Sequence, residues 1–407
     1  MNEMKYRNFG SIAWNVSALG LGAMRLPTKK FLPRVDWDES IKLIRYAIDK
    51  GINYIDTGWI YGFGASEKVL GEALKDGYRE KIFLVTKLPM FLVRKTEDFY
   101  KYLNQQLKSL QTDYLDAYFY HGLSRNSFKK VKELKLMEKM AEAKEKGLIK
   151  HIGFSFHDTL PVFKEIIDYY KWDLAQIQYN YMDTAIQATH EGLKYAHEKG
   201  IAVVIMEPVK GGKLANPTEE ALEIMNKAST QRTPVDWALQ YVWNQPEVAV
   251  VLSGMGSIKM IDENVESASK SGINSLSEED NKIITELAGI YRKSILVQCT
   301  ACKYCMPCPS GVNIPENFAV LNNVAYTGQK GGMTFLLNRR YKKLAKSKKK
   351  LNKEYPNGNA SFCTKCGECL EKCPQEINIP EELEKVDAIL GKGKNISEYY
   401  KIESDIL

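Results

Sequence analysis

Hydrophobic positions in the first 290 residues follow two alternating rhythms. Short runs of consecutive apolar residues give way to longer stretches in which apolar residues recur every three or four positions. The first rhythm predicts strands buried on both faces, and the second predicts amphipathic helices. Strands are expected at 18–24, 52–56, 82–87, 114–120, 150–155, 174–178, 201–206 and 248–252. Helices are expected at 38–50, 66–75, 96–110, 127–146, 159–169, 186–199, 219–229, 234–244 and 258–270. Ser66 is the expected cap of its helix, and Ser275 or Ser277 opens a last one at 277–293. Eight strand–helix units in succession predict an α/β fold, a parallel sheet closed into a (β/α)8 TIM barrel. Ahead of them, 5–9 and 13–17 flank Gly10-Ser11, which predicts a hairpin plugging the bottom of the barrel.

From residue 294 the alternation stops, and cysteine, proline and glycine appear together. A chain of 407 residues suits a barrel of about 250 residues plus an addition. Two domains are therefore expected, 1–293 and 294–407.

The ends of three consecutive strands carry chemistry. Asp56 ends the strand at 52–56 and Tyr61 follows in its loop. Lys87 ends the next strand, and His121 closes the run from Tyr114 to Tyr120. Strand C-terminal ends are where barrels do their chemistry. His151 and His157 also lie near a strand end and are read as structural or peripheral.

The formal charge of +7 raises the question of nucleic acid. Residues 338–353 alone carry nine Lys and Arg and no acid, and without them +7 becomes −2. The basicity is local, and no nucleic-acid partner is expected for the barrel. That stretch, 335–353, reads as an amphipathic basic helix with Phe335, Leu336, Tyr341, Leu344 and Leu351 on its apolar side. It would balance negative charge elsewhere in the chain or dock an acidic partner. Apolar runs such as Ile201 to Met206 are far short of a membrane span. With no apolar run near Met1 either, a cytoplasmic protein with no membrane partner is expected.

All eight cysteines fall between 299 and 373. Cys363-x-x-Cys366-x-x-Cys369-x-x-x-Cys373-Pro374 has the spacing of a bacterial ferredoxin run. Cys299-x-x-Cys302-x-x-Cys305-x-x-Cys308-Pro309 repeats it, one residue short before its last cysteine. The second domain thus resembles a small α+β dicluster 4Fe–4S ferredoxin fold over roughly 294–382. In such folds the last cysteine of each run crosses to the other cluster. The resemblance implies one cluster on Cys299, Cys302, Cys305 and Cys373, and another on Cys363, Cys366, Cys369 and Cys308.

Asp56, Tyr61, Lys87 and His121, in that order on an alternating chain, resemble the catalytic tetrad of the aldo-keto reductases over roughly residues 5–290. The resemblance implies interconversion of a small carbonyl and an alcohol with NADP or NAD. Tyr61 would be the general acid, Lys87 its tuner, Asp56 the orienter of Lys87, and His121 the group that polarises the carbonyl. It also implies a cofactor site. Ser155 and Gln178 match positions that hold the nicotinamide carboxamide, and Met24 and Arg25 a turn against the cofactor. Met206, Pro208, Lys210, Gly211, Gly212 and Lys213 would form a phosphate loop, together with Ser253, Gly254, Met255 and Ser257 before a helix N-terminus. Glu263 and Asn264 match a pair that reads the adenine. Three positions depart from the family pattern. Phe156 stands where Asn is common, Met206 where an aromatic ring stacks, and Met260 where Arg meets a 2′-phosphate. Two other readings stand beside the reductase. In one, the clusters carry electrons to or from the barrel through a ferredoxin or a flavin. In the other, the chain is a cofactor-sensing regulatory subunit, like the family's potassium-channel β-subunit branch.

Overall fold

The computed structural model describes residues 3–29, 34–327, 341, 344 and 357–400. They divide into two units, Met1–Ile284 and Thr285–Leu407. The basic stretch at 335–353 lies outside the described residues except for Tyr341 and Leu344.

The first unit opens with an antiparallel hairpin of β1 (Tyr6–Phe9) and β2 (Ile12–Ser17). Eight parallel strands follow: β3 (Leu19–Gly22), β4 (Tyr54–Asp56), β5 (Phe83–Leu88), β6 (Leu115–Leu123), β7 (Ile149–Phe156), β8 (Leu174–Gln178), β9 (Ala202–Met206) and β10 (Val248–Ser253). They close in sequence order, β10 pairing with β3. The eight predicted strands are all present within a few residues of their expected bounds.

Helices α1 (Trp37–Asp49), α2 (Ser66–Ala73) and α3 (Asp98–Leu110) cover β3 to β6. On α3, Phe99, Tyr102, Leu103, Gln106, Leu107 and Leu110 are buried, the 3–4 spacing that put a helix there. The stretch predicted as one helix at 127–146 is two, α4 (Arg125–Glu133) and α5 (Leu136–Glu145). Phe128 and Val131 face the core on α4, and a continuous helix would bring Lys135 to that face next. Lys135 instead takes a left-handed conformation, φ 50°, which resets the phase so that Leu136 and Met140 are buried. Then come α6 (Leu160–Tyr169), α7 (Thr189–Glu198), α8 (Glu219–Lys227), α9 (Pro234–Trp243), α10 (Ile258–Ser269) and α11 (Glu278–Ser294). Ser277 caps α11, its Oγ accepting from Asp280 N at 3.0 Å. Ser66 does not cap α2. The position before the helix is Ala65, and Ser66 Oγ instead donates to the Ala23 carbonyl at 2.9 Å and meets Thr57 Oγ1 at 2.8 Å.

The barrel interior is packed, with Tyr54, Phe83, Phe119, Val204 and Val250 in one buried cluster with Phe9, Ile12 and Val16 of the hairpin. Phe9 sets its ring edge-on to Phe83 at 5.0 Å, so the hairpin does plug this end. Gly153 has no room for a side chain, since a Cβ there would lie 2.5 Å from the Phe119 ring. The interior being filled with side chains, the chemistry is left to the strand C-terminal ends.

In the second unit α12 (Ile314–Thr327) and α13 (Ile379–Val386) share a buried core of Val312, Ile314, Phe318, Leu321, Leu383 and Val386. Tyr341 and Leu344 are buried in it too. Each helix follows one cysteine run and has Pro in its first turn. Among the described residues the strand pairing here is a single parallel bridge, Val312 to Gly358.

Candidate active site and cysteine centres

β4 delivers Asp56 and β5 delivers Lys87 to adjacent positions, because the two strands pair in parallel register. Lys87 is 1% exposed and its Nζ donates to both Asp56 oxygens at 2.6 and 2.7 Å and to the Thr57 carbonyl at 2.8 Å. Gln176 Nε2 donates to Asp56 at 3.2 Å. Burial pushes Asp56 up and Lys87 down, and each charge opposes the shift in the other. Three oxygen acceptors around Nζ keep the proton on Lys87 and leave Asp56 a carboxylate.

Behind Lys87 lies a second buried layer. Glu67 accepts from Thr86 Oγ1 and Gln106 Nε2, both at 2.6 Å. Gln106 also donates to the Lys87 carbonyl at 3.1 Å and accepts from Tyr118 OH at 2.7 Å. This layer fixes β5 and with it the root of Lys87. Nothing in its spacing marks it in the sequence, since Glu67 and Gln106 lie on different helices.

Tyr61 is buried, with its ring centroid 5.1 Å from Lys87 Nζ and edge-on to His121 at 5.9 Å. All four strand-end residues thus meet at one place. Gly58 makes room for them: a Cβ there would lie 3.2 Å from Tyr61 Cζ and 3.4 Å from His121 Cε1. Burial, then the Lys87 ammonium, then His157 hold His121 well below the ordinary histidine range, so it is a neutral imidazole.

The predicted cofactor residues lie at the adjoining strand ends, in the loops that follow them and on α10. Ser155 is buried and accepts from Gly122 N at 2.8 Å. Phe156 turns outward under α6, its ring 4.9 Å from Phe163. Gln178 Nε2 donates to Asp183 Oδ2 at 2.7 Å. Met24 and Met206 are half-buried, and Arg25 is exposed, lying across the loop after β10. A Cβ on Gly254 would come 3.2 Å from the Arg25 side chain, and one on Gly256 would come 3.3 Å from its carbonyl. Ser257 caps α10 through Met260 N at 3.3 Å, and no acid lies in that first turn. Asn264 is buried and donates to Ser253 Oγ at 2.8 Å. Glu263 is exposed and paired with Lys259 at 3.7 Å, and Met260 is 49% exposed.

The loop after β9 departs most from the sequence expectation. Pro208 is buried and Lys213 half-buried, but Lys210, read as one of two ammoniums for phosphate, is fully buried. Its Nζ donates to both oxygens of Asp183 at 2.6 Å. Left-handed backbone at Glu207, Lys210, Gly211 and Gly212 curls the chain so that Lys210 turns inward. Glu207 is itself half-buried, and burial raises its carboxyl against the pull of Arg25 and Lys210. Sequence reasoning missed Asp183 and Glu207, which put carboxylates where it saw cations.

In the second unit, Cys299, Cys302, Cys305 and Cys373 line one small apolar cavity with Ile314, Pro315, Phe318 and Ile377. Cys308 lies instead within electrostatic range of Cys363 and Cys369, as does Cys366. Cys369 also lies within electrostatic range of Cys305, so the two groups of thiols adjoin. Among the described residues no three potential ligands converge on a single metal ion.

Residues 18–288 match the model of the aldo/keto reductase family, and residues 298–379 match that of a 4Fe-4S dicluster domain. The oxidoreductase YqkF of Bacillus subtilis is 28% identical over 312 residues, which cover 69% of this chain and 95% of that protein. An NADH-specific methylglyoxal reductase of Escherichia coli is 28% identical over 284 residues, 58% of this chain and 84% of that protein. Among solved structures, the aldo-keto reductase AKR11C1 of Bacillus halodurans aligns with a TM-score of 0.59 at 27% identity, over 70% of this chain and 96% of that one. Among the described residues no helix is long and apolar enough to cross a membrane.

Proposed function

Because the chain belongs to the aldo/keto reductase family, we propose that its barrel is an NAD(P)H-dependent oxidoreductase that interconverts a small carbonyl and an alcohol. The observation that carries this reading is the Lys87 ammonium, held by Asp56 under the ring of Tyr61 and beside a neutral His121. NAD(P)H, when bound, supplies the hydride. Tyr61 supplies the proton to the carbonyl oxygen, or takes it back from the alcohol. An unassisted phenol, with a pKa near 10, is a weak acid at neutral pH. The ammonium beneath it stabilises the phenolate left after transfer, and Asp56 keeps that ammonium charged and in place. His121, being neutral, donates a hydrogen bond to the carbonyl without competing for the proton.

The residues present fit a dinucleotide. Ser155 and Gln178 would hold the carboxamide. The Gly254–Ser257 loop, with the first turn of α10, would take phosphate. Arg25 and Lys213 would add charge, and Glu263 and Asn264 would border the adenine. With Met260 at the usual Arg position and Lys259 paired to Glu263, little discrimination between NADH and NADPH, or a preference for NADH, is expected.

The test is Tyr61→Phe. Carbonyl reduction across an aldehyde and ketone panel should fall by about 10²- to 10⁴-fold. NAD(P)H binding, followed by fluorescence titration, should survive. Turnover like that of the parent protein would overturn the assignment.

A second reading concerns the clusters. The dicluster match and the exposure of Cys366 favour their carrying electrons to a one-electron partner, and the basic composition of 338–353 favours an acidic one such as ferredoxin or flavodoxin. Hydride moves two electrons and a 4Fe–4S cluster one, so exchange with the barrel would call for a flavin, for which the relatives give no support.

A further inference from the structure

A line of polar side chains runs across the strand ends from β7 to β9. His157 Nδ1 lies 3.2 Å from Gln187 Oε1. Gln187 Nε2 donates to Gln178 Oε1 at 3.4 Å, and Gln178 Nε2 donates to Asp183 Oδ2 at 2.7 Å. Lys210 closes the line from the far side, 2.6 Å from each Asp183 oxygen. Asn180 braces it: its Nδ2 donates to Asp183 at 3.0 Å and to the Glu207 carbonyl at 3.0 Å. Its Oδ1 accepts from Met182 N and Asp183 N.

The direction of every bond in this line follows from its one fixed member. A carboxylate can only accept. Gln178 must therefore turn its NH2 to Asp183, which leaves its amide oxygen facing Gln187. Gln187 must then offer NH2 to Gln178 and its oxygen to His157. His157 must carry its proton on Nδ1, and its Nε2 is left as an acceptor. Lys210 Nζ lies within 2.6 Å of both Asp183 oxygens and both side chains are buried, so the fixed member stays fixed. The imidazole it controls sits over Gly122, 3.9 Å from where a Cβ would be, next to His121 in the chain.

We infer that Asp183, with Lys210, is a positioning residue that sets the hydrogen-bond polarity of this line. It presents Gln178 to the cofactor with its amide oxygen as acceptor and holds His157 as the neutral Nδ1–H tautomer against Gly122. This rests on the reductase reading above. A carboxamide NH2 needs an acceptor, and Gln178 can be one only while Asp183 occupies its NH2. Asparagine at 183 would offer either a donor or an acceptor, and the line could run in both directions.

The test uses the whole protein with its clusters and ¹⁵N-labelled histidine. Asp183→Asn combined with Lys210→Met removes both charges and nearly preserves volume. In the parent protein His157 should show the pattern of a pure Nδ1–H tautomer. In the double variant it should become a mixture, and NADH should bind about three- to tenfold more weakly, with kcat less affected than KM. Gln187→Leu cuts the line without touching the charged pair. It should release the His157 tautomer and leave NADH affinity near the parent value. A single unchanged His157 signature in both variants would overturn the proposal. So would an Nε2–H tautomer in the parent protein. If the parent protein binds neither NADH nor NADPH, the reductase reading fails instead, while the tautomer measurement still decides whether Asp183 sets the polarity.

Discussion

Asp56 and Lys87 lie inside the barrel with their charges cancelled at 2.6 and 2.7 Å, and Lys210 and Asp183 repeat the arrangement at 2.6 Å. Cys305 in the second unit is also buried, but the groups acting on it are other thiols, Cys302, Cys299, Cys373 and Cys369. Burial first and neighbouring thiols second push it well above the ordinary thiol range, and Cys369 rises to about 11. The barrel mouth completes its electrostatics with its own residues and is organised before any ligand arrives. The cysteine sets are crowded donors that only bound iron would let ionise together, because thiolates packed this way repel one another. A pre-organised site can lose one residue and fail in chemistry or in charge balance. A site completed by its metal should fail in composition.

The sharpest way to break the comparison is Lys87→Met. It leaves Asp56 as a buried carboxylate without its counter-charge, which should cost about 3–5 kcal/mol. All six tryptophans lie at or before position 243, so tryptophan emission during urea unfolding reports on the barrel. Adding Asp56→Asn should recover much of the stability and none of the activity. An unchanged midpoint in the single variant would mean that the barrel mouth does not depend on this pair.

Cys308→Ser sharpens the other side. It should cost the cluster shared with Cys363, Cys366 and Cys369, about half the iron, and spare the one on Cys299, Cys302, Cys305 and Cys373. Iron analysis and electron paramagnetic resonance of the reduced protein measure this. The tryptophan transition of the barrel should not move. Loss of the other cluster would mean that the two runs do not cross.

The smallest expected effect is on acid stability. Burial, opposed by Gln187, lowers His157 to about 4, and burial lowers His121 as well. Unfolded, both would titrate near 6.5. Between those values the unfolded chain binds more protons, so stability is lost as pH falls from about 6.5 towards 4. All five histidines lie at or before position 197, so the loss belongs to the barrel. The urea midpoint by tryptophan emission should be lower at pH 5 than at pH 7. Equal midpoints would mean that these rings are solvated in the folded chain.

The sequence by itself determined the alternation of strands and helices, the strand ends that carry Asp56, Tyr61, Lys87 and His121, and the two thiol runs. Each is a local matter: a period of two or 3.6 residues, or a spacing of three, survives in any fold that buries apolar faces or binds a cluster. Parallel register then brought neighbouring strand ends together without further information. The tertiary structure alone decided what depends on backbone handedness in loops and on contacts between distant elements. Lys135 in a left-handed turn split one predicted helix into two. Ser66 spent its hydroxyl on Thr57 and Ala23 rather than on a cap. Lys210 turned inward on a left-handed loop to meet Asp183, twenty-seven positions away in the chain, so a cation read as free for phosphate became part of a neutral pair. Side-chain partners in loops are chosen by the curl of the backbone, and no periodicity in the sequence records that curl.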